Sequence, residues 1–192
     1  MRTLTLGLGI TLAATSLTAC TASQGDDRAS EVPAGVASMY ATVEDEIDEA
    51  GGETESGDWR IGYVVEAAEP WFEHPGGHPG GHQEYREPAA GETHHIENIP
   101  IEKSPGRIMP TVPIHVEVLD GEGDVVDEKD LNFYYAEFFH YANNFSVPEP
   151  GTYSIRATLG APEFFRHGDE AEGPALPEGA KVTFEGVELE AE

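Results

Sequence analysis

The chain has 192 residues, with 37 Asp and Glu against 10 Lys and Arg, a formal charge of −27. That balance excludes nucleic-acid binding through phosphate contacts and docking on anionic lipid through basic patches. The acids are spread along the whole chain, which reads as adaptation of the surface to salt, and a single cysteine excludes an intramolecular disulfide.

Residues 1–19 read as a secretory signal peptide. Arg2 supplies a positive start, and Leu4 to Leu17 is uncharged and apolar or small. The stretch is too short for a comfortable membrane span. Leu17-Thr18-Ala19-Cys20 matches a bacterial lipobox, which makes Cys20 the lipid attachment residue. An unpaired thiol is otherwise unusual in an exported protein; ordinary cleavage near Ala19 is the alternative. Residues 20–33 are small and polar and form a flexible tether. Residues 34–57 hold an N-terminal helix and a linker. Val36, Met39, Tyr40, Val43 and Ile47 recur at helical spacing, and Gly51-Gly52 stops the pattern. Met39 belongs to that packing stripe.

Residues 58–192 read as one β-rich domain. Trp59–Glu66 is a strand. Residues 69–92 form a Pro/Gly/His loop without periodicity, its His-rich part running over 73–92. Thr93–Glu102 is extended, and Pro110–Leu119 alternates cleanly. Asp120–Asp124 is a hairpin turn, after which Val125–Phe133 leads into an aromatic segment. Pro148–Gly151 is another turn, and Asn143 and Asn144 shape a turn as well. Thr152–Leu159 and Lys181–Leu189 are the last strands. Short strands joined by turns, with no βα alternation, predict an all-β fold, an immunoglobulin-like antiparallel β-sandwich with a short N-terminal helix after the signal and tether.

The eight histidines all lie between residues 74 and 167. Neutral imidazole is the commonest metal ligand, so this distribution points to metal handling without thiolates. His95 and Glu97 are two apart on a strand and share a face. They either bind one ion together or pair with each other, Glu97 then fixing the tautomer of a ligand histidine. A surface His and Glu on an edge strand would look the same. His140 sits in an aromatic segment, Phe133 to Phe145, whose members are expected mostly in the core. Burial there lowers the imidazole pKa and keeps it neutral. His167 follows Arg166 in a polar loop and His115 lies on the polar face of its strand. His74, His78 and His82 are spaced by Pro-Gly-Gly, which forbids a helix. They make an auxiliary metal-capture loop or a solvated insertion. No Ser-His-Asp grouping, phosphate loop or His-Glu-x-x-His motif is present.

Three elements in order, His95-Ile96-Glu97, Phe139-His140-Tyr141-Ala142-Asn143-Asn144 with Gly151-Thr152-Tyr153, and Arg166-His167, resemble the periplasmic or lipoprotein iron-transport accessory family. The resemblance covers about residues 58–190. It implies a small immunoglobulin-like sandwich that binds a divalent metal beside an inner-membrane iron permease, often as a homodimer. By matching positions it implies metal ligands at His95, His140 and His167, with Glu97 beside them. The family's methionine position is Phe133 here, and its Gly after His-Tyr is Ala142. Loss of a thioether weakens a case for Cu(I).

The sequence therefore predicts a lipid-anchored, extracytoplasmic metal-binding protein, not an enzyme, in the periplasm or at the cell surface. Its ligand would be a divalent transition metal, iron or copper, with zinc and manganese also compatible, and it would support iron uptake. Histidine protonation below about pH 6.5 would release the ion. The alternatives are a scaffold lipoprotein with incidental histidines and, less favoured, a redox enzyme using the same site.

Overall fold

The computed structural model describes residues 33–74, 82–169, 173 and 175–190. The expected signal peptide, Cys20, all of the tether but Pro33, and His78 lie outside these residues.

Helix α1 (Ala34–Ala50) is followed by eleven strands among the described residues: β1 (Gly51–Ser56), β2 (Trp59–Ala67), β3 (Trp71–Glu73), β4 (Glu84–Arg86), β5 (His94–Glu102), β6 (Ile114–Leu119), β7 (Val125–Asp130), β8 (Asn132–Tyr135), β9 (Phe139–Phe145), β10 (Gly151–Leu159) and β11 (Ala180–Leu189). They form a five-stranded sheet in the order β1-β2-β5-β9-β8, a four-stranded sheet β11-β10-β6-β7, and a separate β3-β4 hairpin. The paired strands are antiparallel throughout. The two larger sheets pack as the sandwich that alternation predicts. Ile61, Ile96, Tyr141 and Phe145 of one sheet meet Val116, Ile155, Val182 and Phe184 of the other in a single apolar core.

Strand β5 departs from half-buried alternation, because all nine of its residues are buried. Its inner face, with Ile96, joins the sandwich core. Its outer face carries Ile99 and Ile101, which lie with Val64 and Phe138 beneath Val43 and Ile47 of α1. The apolar stripe of the helix therefore covers the back of the sheet instead of closing the sandwich. His95 and Glu97 share the parity of Ile99 and Ile101 and so face outward, on the side that holds the helix. Arg60 ties the helix down, reaching Glu44 of α1 at 2.6 Å and Glu53 of β1 at 2.9 Å.

Several elements differ from expectation. The linker after the helix is strand β1, paired with β2 over its whole length. Gly-Gly-Glu-Thr-Glu-Ser carries no apolar pattern because it is an edge strand with half-exposed faces. A Cβ on Gly51 would lie 1.7 Å from the Tyr63 carbonyl oxygen, so only glycine fits this approach. The 69–92 loop contains the β3-β4 hairpin, too short for periodicity to reveal. Its anchor is electrostatic: Arg86 pairs with the side chain of Glu92 at 2.8 Å, and Lys129 meets the same carboxylate at 3.1 Å. Asn143 and Asn144 lie in β9, not in a turn. The aromatic segment is only partly core. Phe138, Tyr141 and Phe145 are buried, whereas Phe133, Tyr135 and Phe139 are exposed and pack against one another along the edge formed by β8.

Candidate metal centre

The pairing of β5 with β9 sets His95 opposite Asn144 and Glu97 opposite Ala142. His140 lies two residues before Ala142 on the same face. Three side chains from two adjacent strands therefore converge on the outer face of the sheet. His95 is 3% exposed, Glu97 5% and His140 6%. One Glu97 oxygen, Oε1, lies 3.5 Å from Nε2 of His140 and 3.9 Å from Nε2 of His95. Among the described residues, these three form the one group of three or more His, Cys, Asp or Glu whose ligand atoms lie within 4.8 Å of one another.

The orientation of His95 follows from its partners. Asn144 Nδ2 donates to the Glu69 carbonyl at 2.8 Å, and the Glu69 N–H donates to Asn144 Oδ1 at 3.1 Å. Those two bonds fix which end of the amide is oxygen. That oxygen lies 2.8 Å from His95 Nδ1, which must therefore carry the hydrogen and donate it. The lone pair of His95 is left on Nε2, the atom turned toward Glu97. This is the arrangement in which a hydrogen bond at one ring nitrogen prepares the other for a metal.

Electrostatics favour a cation here. Burial pushes the Glu97 carboxyl up to about 8, helped by the negative charges of Glu46, Glu66 and Glu69. Burial lowers His140 to about 4, with His95 adding to the effect. Among the described residues, Glu97 Oε2 and His140 Nδ1 are buried without hydrogen-bond partners. A buried acid in an acidic neighbourhood, facing two imidazoles, is costly to ionise unless a positive ion joins it. The donor set fits a borderline divalent ion, which accepts imidazole and carboxylate together.

Aromatic side chains cover the group. Tyr134 pairs with His140 across β8 and β9 and stacks on its ring at 5.8 Å. Its ring also meets His95 edge-on at 6.3 Å. Trp71, from the hairpin, lies 5.6 Å from Tyr134 and 6.4 Å from His95, with the Arg86 guanidinium 4.2 Å above its ring. Desolvation pushes the Tyr134 phenol up to about 12, so it is a neutral wall. Phe133 points the other way, toward Tyr141 at 4.8 Å.

The remaining histidines lie elsewhere. His167 is exposed and is not part of the group. The neighbouring Arg166 is bonded to the carbonyls of Pro162, Ala175 and Leu176. Leu176 joins Trp59 and Glu178 around a pocket at the start of β2, and Trp59 Nε1 donates to the Glu178 carbonyl. Trp59 pairs with Glu102 and Glu66 pairs with His95, so seven residues of β5 separate that end from His95, about 24 Å of strand. His94 faces the other side of the sheet, with Nε2 3.0 Å from the Glu190 carbonyl and Nδ1 2.8 Å from Thr93 Oγ1. His115 pairs with Asp130 at 2.9 Å, which raises its pKa. His74 and His82 sit at the hairpin neck. Asn144, Tyr134 and Trp71 were not recognised from sequence. Asn144 could have been, since it shares the face of His140 four residues earlier on one strand.

Fold and centre together define an antiparallel β-sandwich with a buried two-histidine, one-carboxylate cluster of metal-ligand type. No protein-family profile matches the chain, and no curated protein sequence matches it. Solved structures do. FetP from uropathogenic Escherichia coli strain F11 is 19% identical over 73% of this chain and 95% of its own, with a TM-score of 0.56. A copper-bound variant of FetP gives 18% identity, 74% and 91% coverage and a TM-score of 0.57. A copper-bound variant of Campylobacter jejuni P19 gives 21% identity, 74% and 98% coverage and a TM-score of 0.56. The chain shares the sandwich fold of these proteins.

Two outcomes follow from the geometry. In the metal-free protein, Glu97 binds its proton more tightly when folded, so its contribution to stability is lost as pH rises from 4.5 to about 8. His140 acts oppositely, adding stability as pH rises from about 4 to 6.5. Above pH 6.5 only the Glu97 effect remains between these two groups. The melting temperature of metal-free protein should therefore fall between pH 6.5 and 8, and Glu97→Gln should remove that fall. Replacing Asn144 with Ala should weaken metal affinity by about 10- to 100-fold in calorimetric titration, because His95 loses its fixed tautomer.

Proposed function

We propose that this is an extracytoplasmic, lipid-anchored protein that binds a divalent transition metal at His95, Glu97 and His140 and supports iron uptake. The observation that carries the reading is the buried Glu97 carboxylate, which among the described residues pairs with no Lys or Arg and lies within 4 Å of two imidazole Nε2 atoms. The sandwich shared with copper-bound FetP and P19 supports metal binding and favours copper among the candidate ions; iron, zinc and manganese suit the same donors. The link to iron supply, and to an inner-membrane permease, rests on the three ordered sequence elements. Anchoring rests on Cys20 in its lipobox. The role proposed is binding and delivery, not catalysis.

Release by acid is better assigned to Glu97 than to an ordinary imidazole. His140 stays neutral down to about pH 4, whereas Glu97 keeps its proton up to about pH 8. An incoming ion must expel that proton. Affinity should then fall about tenfold for each pH unit below 8. Calorimetry with Cu(II) or Zn(II) in two buffers of different ionisation enthalpy should show proton release at pH 7, and Glu97→Gln should flatten the slope. Equal affinity at pH 6 and pH 8 would sink this reading.

His167 stands at the far end of the strand from His95 and does not complete the centre within one chain. His167→Ala should leave metal affinity within about twofold of the parent, well inside the effect of losing a ligand. A larger loss, together with a solution mass of two chains, would instead assign that imidazole to the centre of a second copy in a homodimer.

A further inference from the structure

The β3-β4 hairpin carries a pattern that its own packing does not explain. Glu73 stands directly opposite Glu84, and like charges facing each other across paired strands destabilise the pair. Both are exposed, and among the described residues neither forms an ion pair with Lys or Arg. One step further along the neck, His74 Nε2 lies 3.3 Å from Gln83 Nε2, and among the described residues His74 Nδ1 is buried without a partner. His82 precedes Gln83 in sequence. The hairpin thus sets two carboxylates opposite each other, with His74 next to Glu73 and His82 two residues before Glu84 along the chain. Beside the neck is a cavity of about 390 Å³, lined in part by Trp71, Glu73, His74 and Tyr134. Trp71 and Tyr134 are the same rings that cover His95 and His140. The cavity and the buried centre therefore share a wall.

We propose that the hairpin neck is a second, weaker divalent-cation site, formed by Glu73, Glu84, His74 and His82, which receives the ion before the buried centre does. A cation between the facing carboxylates removes their repulsion, and the imidazoles add borderline donors. The ligand atoms are not gathered within 4.8 Å, unlike those of the centre. The ion must draw them together, and this ordering cost makes the site weak and quick to release. The proposal rests on the metal-centre reading for its destination, but the neck site itself does not.

The test uses the full chain, with Co(II) as the probe and His78 left unchanged in every variant. In His95→Ala/His140→Ala, which lacks the centre, Co(II) should still bind weakly at one equivalent. Adding His74→Ala/His82→Ala to that variant should abolish the binding. In the otherwise intact chain, His74→Ala/His82→Ala should slow loading of the centre by about fivefold or more at limiting Co(II), while equilibrium affinity stays within about twofold. Absence of weak binding in the centre-less variant overturns the proposal, and so does an unchanged loading rate. Weak binding at the neck with none at the centre would leave the neck site standing and remove the function proposed above.

Discussion

A buried carboxylate that no Lys or Arg among the described residues neutralises is the constraint around which this molecule is organised. Glu97 lies on a strand covered on both faces, among Glu46, Glu66 and Glu69. An ionised acid in that position is expensive. The cost is met by protonation, or by an ion that shares the carboxylate with two imidazoles. The choice between those two states sets the charge of the centre, and the surrounding structure holds it open by keeping His140 neutral and His95 in one tautomer.

The fold makes such a position available by burying β5 twice. A β-sandwich with an open outer face would have left His95 and Glu97 in solvent, where carboxylate and imidazole titrate normally and bind ions weakly. Here α1 covers the half of that face around Ile99 and Ile101, and Trp71 with Tyr134 covers the end near His95. The centre sits between these two covers. Its rigidity comes from main-chain registers: β5 to β9 aligns His95 with Asn144, and β8 to β9 aligns Tyr134 with His140.

The all-β sandwich and its short helix were readable because Pro110–Leu119 and Thr152–Leu159 alternate, and because Val43 and Ile47 keep helical spacing. Strand β1 was hidden, since an edge strand of Gly, Glu, Thr and Ser needs no apolar face. Which members of the aromatic segment stay exposed, Phe133, Tyr135 and Phe139, is not legible, because hydrophobicity does not say which side of an edge strand a residue takes. His95 and Glu97 could be placed on one face from spacing alone. Their meeting with His140 depended on a strand pairing that periodicity does not encode. The same limit explains Asn144, which looks like a turn residue in sequence and acts as a clamp only once Glu69 comes alongside.

The ion pairs that hold the two covers differ in their access to water. Arg86, Glu92 and Lys129 form a knot around a carboxylate side chain that is only 7% exposed. Arg60 holds the helix through Glu44 and Glu53, whose side chains are 49% and 44% exposed. Mobile ions weaken exposed pairs much more than sheltered ones. In brine the helix loses part of its grip while the aromatic roof keeps its own, so the two flanks of the centre respond unequally to the salinity that so acidic a surface suits.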